Sequence, residues 1–576
     1  MTPTPTAPDR PLRAADFATI TEALDYAATC ETGVNIYSAR GELAEALSYR
    51  RLRDEAIDLG RRLLASGLLP GDRVGLVAES DGDFIKAFFA CQYARLVPAP
   101  LPLPAPFGGR QGYIEHIRRM LQTAGARAAL GPDPLADWMR EAAEGLDLEI
   151  SGSLADLAVD GAPGDLPGAD PDGLSYLQFS SGSTRFPLGV AVTHRALMAN
   201  IFAINNYGLK VRADDRAVSW LPLYHDMGLI GFFLAPLGSQ ASLDLLPTAA
   251  FVRRPLLWLD LISRNGGTIS YSPTFGYELC ARRAESLSVE GLDLRSWRAA
   301  GIGGDMIRPQ VLRNFAERFA PAGFDPNAFL ASYGMAEATL ALSFAPLSQG
   351  LRTEALDVDR LERDQVAARS AAGARRVREF ALCGPALPGH ELQVRGERGE
   401  ALDDDQVGRI YARGPSLMRA YFDQPEETQR VLSEDGWLDT GDLGYFSGGE
   451  IIITGRAKDL IIVNGRNVWP QDLEWTAEAE AGALRSGDVA VFSVPGEGEE
   501  TVVALVQCRT SDPEARERLR ADIAGCLRLR HGVETEVVLA PPHSLPRTSS
   551  GKLSRSRAKA MYQSGQFTTD AAAVTA

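Results

Sequence analysis

Tyr176-Leu-Gln-Phe-Ser-Ser-Gly-Ser-Thr-Arg-Phe-Pro-Leu-Gly-Val190 opens as an apolar, β-prone run and passes into a hydroxyl-rich loop punctuated by glycine. Read on its own, it is a buried strand delivering a phosphate cradle. Ser180, Ser181, Ser183 and Thr184 supply hydroxyls, while Gly182 and Gly189 let backbone N–H groups approach an anion. A serine-rich surface turn is the plain alternative. The loop lacks the Gly-Lys-Ser/Thr ending of a P-loop, so the usual P-loop nucleotidase reading is disfavoured.

Outward from this stretch, short apolar runs such as Arg73-Val-Gly-Leu-Val77 alternate with helical patterns such as Asp83-Phe-Ile-Lys-Ala-Phe-Phe-Ala-Cys91. That rhythm predicts an α/β fold. At 576 residues the chain exceeds what one core supports, so at least two domains are expected. Near the end, Asp488–Phe492, Val502–Val506, a helix from Glu514 to Leu529 and Glu536–Leu539 form a strand-helix-strand unit able to fold alone. Residues 1–14, rich in Pro and Thr, and 567–576 lack apolar periodicity and read as disordered tails.

The formal net charge of -16 argues against general nucleic-acid or anionic-membrane binding. No apolar run is long enough for a membrane helix, and Met1-Thr-Pro-Thr-Pro-Thr has no signal-peptide pattern, so a cytoplasmic location is expected. The six cysteines and six histidines are scattered, with no pair at metal-ligand spacing. Reduced core thiols, and no zinc site, are the expectation.

Six blocks in order extend the opening loop: Tyr176–Val190 itself, Trp220-Leu-Pro-Leu-Tyr-His-Asp-Met-Gly228, Tyr333-Gly-Met-Ala-Glu337, Trp437-Leu-Asp-Thr-Gly-Asp442, Gly455-Arg-Ala-Lys-Asp459 and Pro546-Arg-Thr-Ser-Ser-Gly-Lys552. Together they resemble the adenylate-forming superfamily of acyl-CoA synthetases, peptide-synthetase adenylation domains and luciferases, with the nearest likeness to the fatty acyl-AMP ligases. The resemblance spans roughly residues 15 to 565. It implies a large N-terminal multi-subdomain α/β domain over 15–456 and a small mobile C-terminal α/β domain over 457–566, with Lys458 and Asp459 at the hinge. Without the family, the two β-branched runs around Arg456–Asp459 would read as a hairpin. More than forty residues separate Glu337 from Phe380. In the ligases an insertion there, here about 350–376, is thought to hinder productive closure with CoA. A tolerated surface insertion is the alternative.

The resemblance also implies ATP-dependent activation of a fatty acid to acyl-AMP with pyrophosphate release, with ATP and Mg²⁺ required. Transfer to the phosphopantetheine thiol of an acyl carrier protein would follow, in a polyketide, lipopeptide or lipid pathway. Joining two anions calls for positive charge, and Lys552 matches the adenylation lysine, against the reading of a solvent lysine. Glu337, with Thr184, would bind Mg²⁺; the plain alternative is a helix N-terminal carboxylate. Ser180, Ser181, Gly182, Ser183 and Thr184 would hold phosphates. Gly303, Gly304, Asp305, Ser332, Tyr333, Gly334 and Met335 would form the adenine side. Asp442 would take the ribose hydroxyls and Arg456 a ribose or phosphate contact; an Asx turn is the alternative for Asp442.

Trp220, His225 and Met227 match the segment that lines the acyl pocket and positions the carboxylate, with His225 otherwise a core histidine. Phe275 and Tyr277 are candidate pocket walls, or plain core. Arg185 and Leu188 replace the Gly and Lys of many phosphate loops, leaving one cationic contact missing. The basic run Arg547, Lys552, Arg555, Arg557 and Lys559 could face an acidic carrier protein, or be a solvated helix face. A true acyl-CoA synthetase and a non-catalytic adenylate-binding protein are the competing functions.

Overall fold

A computed structural model describes residues 2–104, 109–158, 165–180, 187–286, 289–371, 374–463, 465–482, 484–495, 500–548 and 551–567. Its centre is an eight-stranded sheet in the order Ala341–Phe344, Phe329–Gly334, Ala299–Ile302, Ile269–Ser272, Arg216–Ser219, Ser242–Leu245, Gly33–Tyr37, Leu43–Ser48. The inner pairs are parallel and both edge pairs antiparallel. The inner strands Arg216–Ser219, Ser242–Leu245, Ile269–Ser272 and Ala299–Ile302 are buried at every residue, polar ones included, as parallel strands covered on both faces are.

A second, four-stranded parallel sheet carries Arg73–Val77 as an inner strand. The helix after it, Gly82–Tyr93, is capped by Asp81, whose carboxylate accepts the Phe84 N–H at 2.9 Å. The opening block forms strand Leu174–Phe179, paired with Gly189–Thr193 across the loop. Beneath the large sheet lies an aromatic nest: Trp258 sits 5.1 Å from Trp297 and 5.4 Å from Tyr277, and Tyr277 lies 5.0 Å from Phe315. Such edge-to-face stacking adds to area burial.

The C-terminal unit packs helices Pro470–Glu480, Pro513–His531 and Arg555–Gln563 with the sheet Val489–Pro495, Glu500–Gln507, Thr535–Ala540. Strand Glu450–Arg456 pairs backwards with Leu438–Ser447, and Ile461–Val463 pairs forwards with Arg466–Val468. The two β-branched runs therefore do not form a hairpin with each other, and the turn Ala457–Asp459 joins the sheets they belong to.

The N-terminus differs from the expected disordered tail over 1–14. The Thr4 N–H donates to Asn35 Oδ1 at 2.8 Å, and Arg216 Nη1 donates to the Thr4 carbonyl at 2.9 Å. Arg216 is itself locked to Asp244 at 2.6 Å, both buried. A buried guanidinium needs acceptors on every side, and the tail's backbone supplies one. At the other end, Phe567 packs on the C-terminal core, and 568–576 lie outside the described residues.

Between Glu337 and Phe380 the extra residues form an antiparallel ribbon, Thr353–Asp357 with Val377–Ala381, joined through helix Val358–Asp364. This insertion reaches the C-terminal unit. Arg378 donates to Asp472 at 2.7 Å, both nearly buried at 8% and 10% exposure. The Arg378 guanidinium lies 4.2 Å from the Phe380 ring and 5.4 Å from that of Trp475. Glu362, paired with Arg376 at 2.6 Å, also meets Arg466 at 3.3 Å. From the N-terminal side, Arg308 adds a bond to Ser486 at 2.7 Å.

Candidate active site

A cavity of about 430 Å³ opens outside the carboxyl ends of the central parallel strands, where ligands bind in open α/β sheets. Strand Phe329–Gly334 delivers Ser332, Tyr333 and Gly334 to its wall, followed by Met335 and Glu337. Strand Ala299–Ile302 delivers Gly303 and Gly304. Gly304 sits at φ +77°, a conformation side chains resist, and a Cβ on Gly334 would meet the Leu340 carbonyl oxygen at 1.8 Å. Ser180 stands at the mouth of the opening block's loop; its N–H donates to the Leu188 carbonyl at 2.9 Å, and Leu188 lines the cavity too. Ser181, Gly182, Ser183, Thr184 and Arg185 lie outside the described residues.

The polar end gathers groups from distant parts of the chain. His225 Nδ1 stands 2.6 Å from Asp226 Oδ1. Burial alone would raise the Asp226 carboxyl, but His225 and the positive charge of Lys552 outweigh it and leave it below the usual carboxylate range. Glu337 is pushed up by burial, against the Tyr421 hydroxyl that donates to it at 2.8 Å. Lys552 comes from the C-terminal unit, held in a tight loop by the Thr548 N–H donating to the Lys552 carbonyl at 2.8 Å and the Gly551 N–H to that of Thr548 at 2.9 Å. Arg456 and Lys458 also line the wall. Burial, then Arg456 beside it, lowers the Lys458 ammonium.

Asp442 is not on the wall; it stands one layer behind. The Tyr333 hydroxyl donates to its Oδ2 at 2.8 Å and Arg456 Nε lies 3.4 Å from its Oδ1. Burial raises its carboxyl despite Arg456. Thr440 and Gly441, from the same strand, face the cavity in its place. Asp305 and Asp459 are also off the wall. Asp305 caps its own turn through the Met306 N–H at 2.8 Å, and Asp459 pairs with Arg555 at 2.9 Å. Arg555 also binds Glu474 at 2.6 Å, and Arg547 bonds the Gly487 carbonyl. Arg555 is thus engaged inside the protein, while Arg547 is held at the surface.

The apolar end of the cavity is lined by a different set of residues from those expected for an acyl pocket. Met227 lines it, but Trp220, Phe275 and Tyr277 do not. Trp220 is stacked on Phe251 at 3.8 Å with Phe275 at 5.7 Å on its edge, and Tyr277 is fully buried in the aromatic nest, its hydroxyl donating to the Gly301 carbonyl at 2.9 Å. The wall is built instead by Ile204, Leu209, Phe232, Tyr271, Leu340 and Phe344. Ile204 and Phe232 come from two π-helical turns, Ile204–Gly208 and Met227–Leu234, Leu209 follows the first, Tyr271 is on strand Ile269–Ser272, and Leu340 and Phe344 are at and in the edge strand Ala341–Phe344. Such turns often mark functional sites but leave no sequence signature. Among the described residues no cluster of three His, Cys, Asp or Glu could hold a metal, five of the six free cysteines are buried, and no helix is long and apolar enough to cross a membrane.

One cavity thus carries an apolar channel, a cationic and carboxylate-rich end and a glycine-lined flank. The model of the AMP-binding enzyme family matches residues 27–422. The chain is 62% identical to a putative acyl-CoA synthetase of Caulobacter vibrioides over 98% of both chains. It is 32% identical to JamA, the medium-chain-fatty-acid–[acyl-carrier-protein] ligase of Moorena producens, over 96% of both. A solved chain from a study of fatty acyl-adenylate ligases from E. coli and L. pneumophila superposes with a TM-score of 0.93 at 44% identity, covering 97% of this chain and all of that one. The chain belongs to the AMP-binding, adenylate-forming enzymes and, among them, to the fatty acyl-AMP ligases.

Proposed function

We propose that this enzyme activates a fatty acid with ATP and passes the acyl group to the phosphopantetheine thiol of an acyl carrier protein. In the first step a carboxylate oxygen bonds to the α-phosphorus, the bond to the β-phosphate breaks, and pyrophosphate leaves. In the second the thiolate attacks the acyl carbonyl and AMP leaves. The observation that carries the reading is one cavity whose apolar channel meets Lys552, His225 and Glu337 at one end. Lys552 answers the charge that develops between carboxylate and α-phosphate, in a site where water no longer screens it. His225, oriented by Asp226, holds the carboxylate at the channel mouth. Tyr333 backs the adenine, and Asp442, through Tyr333 and Arg456, sets the ribose side.

Oxygen donors suit a hard cation, and Glu337 with Thr184 would hold Mg²⁺, which supplies charge neutralisation on the phosphates. Carrier-protein transfer draws support from the likeness to JamA and from the insertion, which ties the C-terminal unit to the arrangement that presents Lys552. A second reading, acyl-CoA synthesis, draws support from the name of the Caulobacter relative. The test measures pyrophosphate release with ATP, Mg²⁺ and a panel of fatty acids, then product with CoA or with a holo carrier protein. Thioester on the carrier and little acyl-CoA is the expected result; rapid acyl-CoA formation moves the assignment to the second reading.

A further inference from the structure

The apolar channel ends against a partition. Behind it lies a separate void of about 20 Å³, enough for about one water. Leu209, Gly231 and Phe232 line both spaces, so the Leu209 and Phe232 side chains and the Gly231 backbone form the wall between them. Phe232 is almost fully buried, its ring tilted against that of Tyr271 at 5.6 Å. Val211, Ala217, Ala235 and Ile269 surround the far side, with Asn205 bonded to Ser239 and Asp215 to Arg298, so the space beyond is largely apolar.

Gly231 and Phe232 belong to the π-helix Met227–Leu234. Its wide turn brings residues four and five apart onto one face. Met227, two residues from His225 at the carboxylate end, therefore shares the channel face with Gly231 and Phe232 one turn on. A Cβ added at Gly231 would meet one neighbour, Leu340 Cδ2, at 3.2 Å. Glycine there keeps the channel clear, and its backbone is not in the left-handed region, so a side chain would be accommodated conformationally.

We propose that Gly231 and Phe232 are the chain-length ruler of this enzyme: Gly231 leaves the channel open beside Leu340, and the Phe232 ring stops the ω-end of the acyl chain. This rests on the acyl-adenylating reading above. The substrate class it names is an unbranched fatty acid whose length ends at the Phe232 ring. Deleting that ring joins the channel to the void and, at interior packing density, opens room for about four methylenes. Each methylene that enters the new space gains about fourfold in kcat/KM. A side chain at Gly231 narrows the channel earlier and shortens the accepted chain.

The experiment measures acyl-AMP by mass spectrometry, with ATP and Mg²⁺, for straight-chain saturated acids in two-carbon steps. Wild type, Phe232→Ala, Gly231→Val and Leu209→Ala are compared, each first checked for its melting temperature and ATP binding. The expected result is a length optimum that moves about four carbons longer in Phe232→Ala, longer in Leu209→Ala, and shorter in Gly231→Val. The opposite signs of shift separate a ruler from general damage, and Leu209→Ala opens the same partition should Phe232→Ala fail to fold. A wild-type profile that all folded variants leave in place overturns the ruler alone. A wild type that makes no acyl-AMP from any acid of the series overturns the functional reading, and the ruler with it.

Discussion

Asp472→Asn tests how the C-terminal unit is held over the site. Asp472 and Arg378 are 2.7 Å apart and nearly buried, one from each side of the contact between the insertion and the C-terminal unit. Burial raises the Asp472 carboxyl to about 6 despite Arg378, so above that pH the pair is charged. Burial likewise lowers the Arg378 guanidinium, so its charge is already costly without a partner. Removing one member of a buried pair costs about 3–5 kcal/mol because the other charge is left uncompensated. In the docked arrangement the Asn variant leaves Arg378 in that state; in a released arrangement water solvates it. The docked-to-released ratio should therefore fall by about a hundredfold or more. Lys552 belongs to the C-terminal unit, so if that unit moves as proposed, acyl-AMP formation should fall while thioester formation with CoA rises relative to it. Single-turnover measurement of both half-reactions reads the ratio directly. An Asn variant that melts at the wild-type temperature and keeps the thioester-to-adenylate ratio within about twofold would show that this contact does not restrain the domain.

Lys552→Ala is expected to lower pyrophosphate release by about a hundredfold or more with ATP binding largely retained, checked by pyrophosphate assay and nucleotide titration. Glu478, buried with Arg308 3.7 Å away across the domain contact, is raised to about 8 by burial. A raised carboxyl favours docking when protonated, so that contribution is full below the ordinary glutamate range and is lost as pH rises to about 8. Adenylation should fall over this window, and Glu478→Gln should flatten that limb; an unchanged pH profile in the variant refutes the link. Tyr333→Phe removes the donor to Asp442 Oδ2 and leaves a buried carboxylate short of a partner, costing about 1–3 kcal/mol and raising the KM for ATP with kcat less affected. Equal loss in kcat alone would argue against an adenosine-side role.

Local pattern made the α/β class readable. Strand Arg73–Val77 and the helix after it follow from periodicity and from Asp81 as a cap, signals that lie within a dozen residues. That Lys552, Tyr333 and Glu337 stand on the cavity wall was readable because contiguous motifs, Ser-Ser-Gly-Lys and the five residues Tyr333–Glu337, carry them. In these cases the chemistry depends on backbone shape over a few residues, and the sequence encodes that directly.

The apolar channel was not readable. Phe275, Tyr277 and Trp220 have the aromatic character of a pocket wall, but which side of a helix faces a void and which faces the core depends on what packs against it. Trp297 and Phe315 claim Tyr277, and Phe251 claims Trp220. Thr4 reads as tail because its hydrogen-bond partners are Asn35 and, through the chain's fold, Arg216. Asp442 reads as a ligand-facing carboxylate, yet Tyr333 and Arg456 stand around it. The sequence by itself determined the fold class, the adenylate-forming chemistry and its contiguous motifs. Only the tertiary structure decided the channel, its Gly231–Phe232 end and the Arg378–Asp472 contact, because cavities and buried charge pairs are made by side chains far apart in sequence and stabilised only once water is excluded between them.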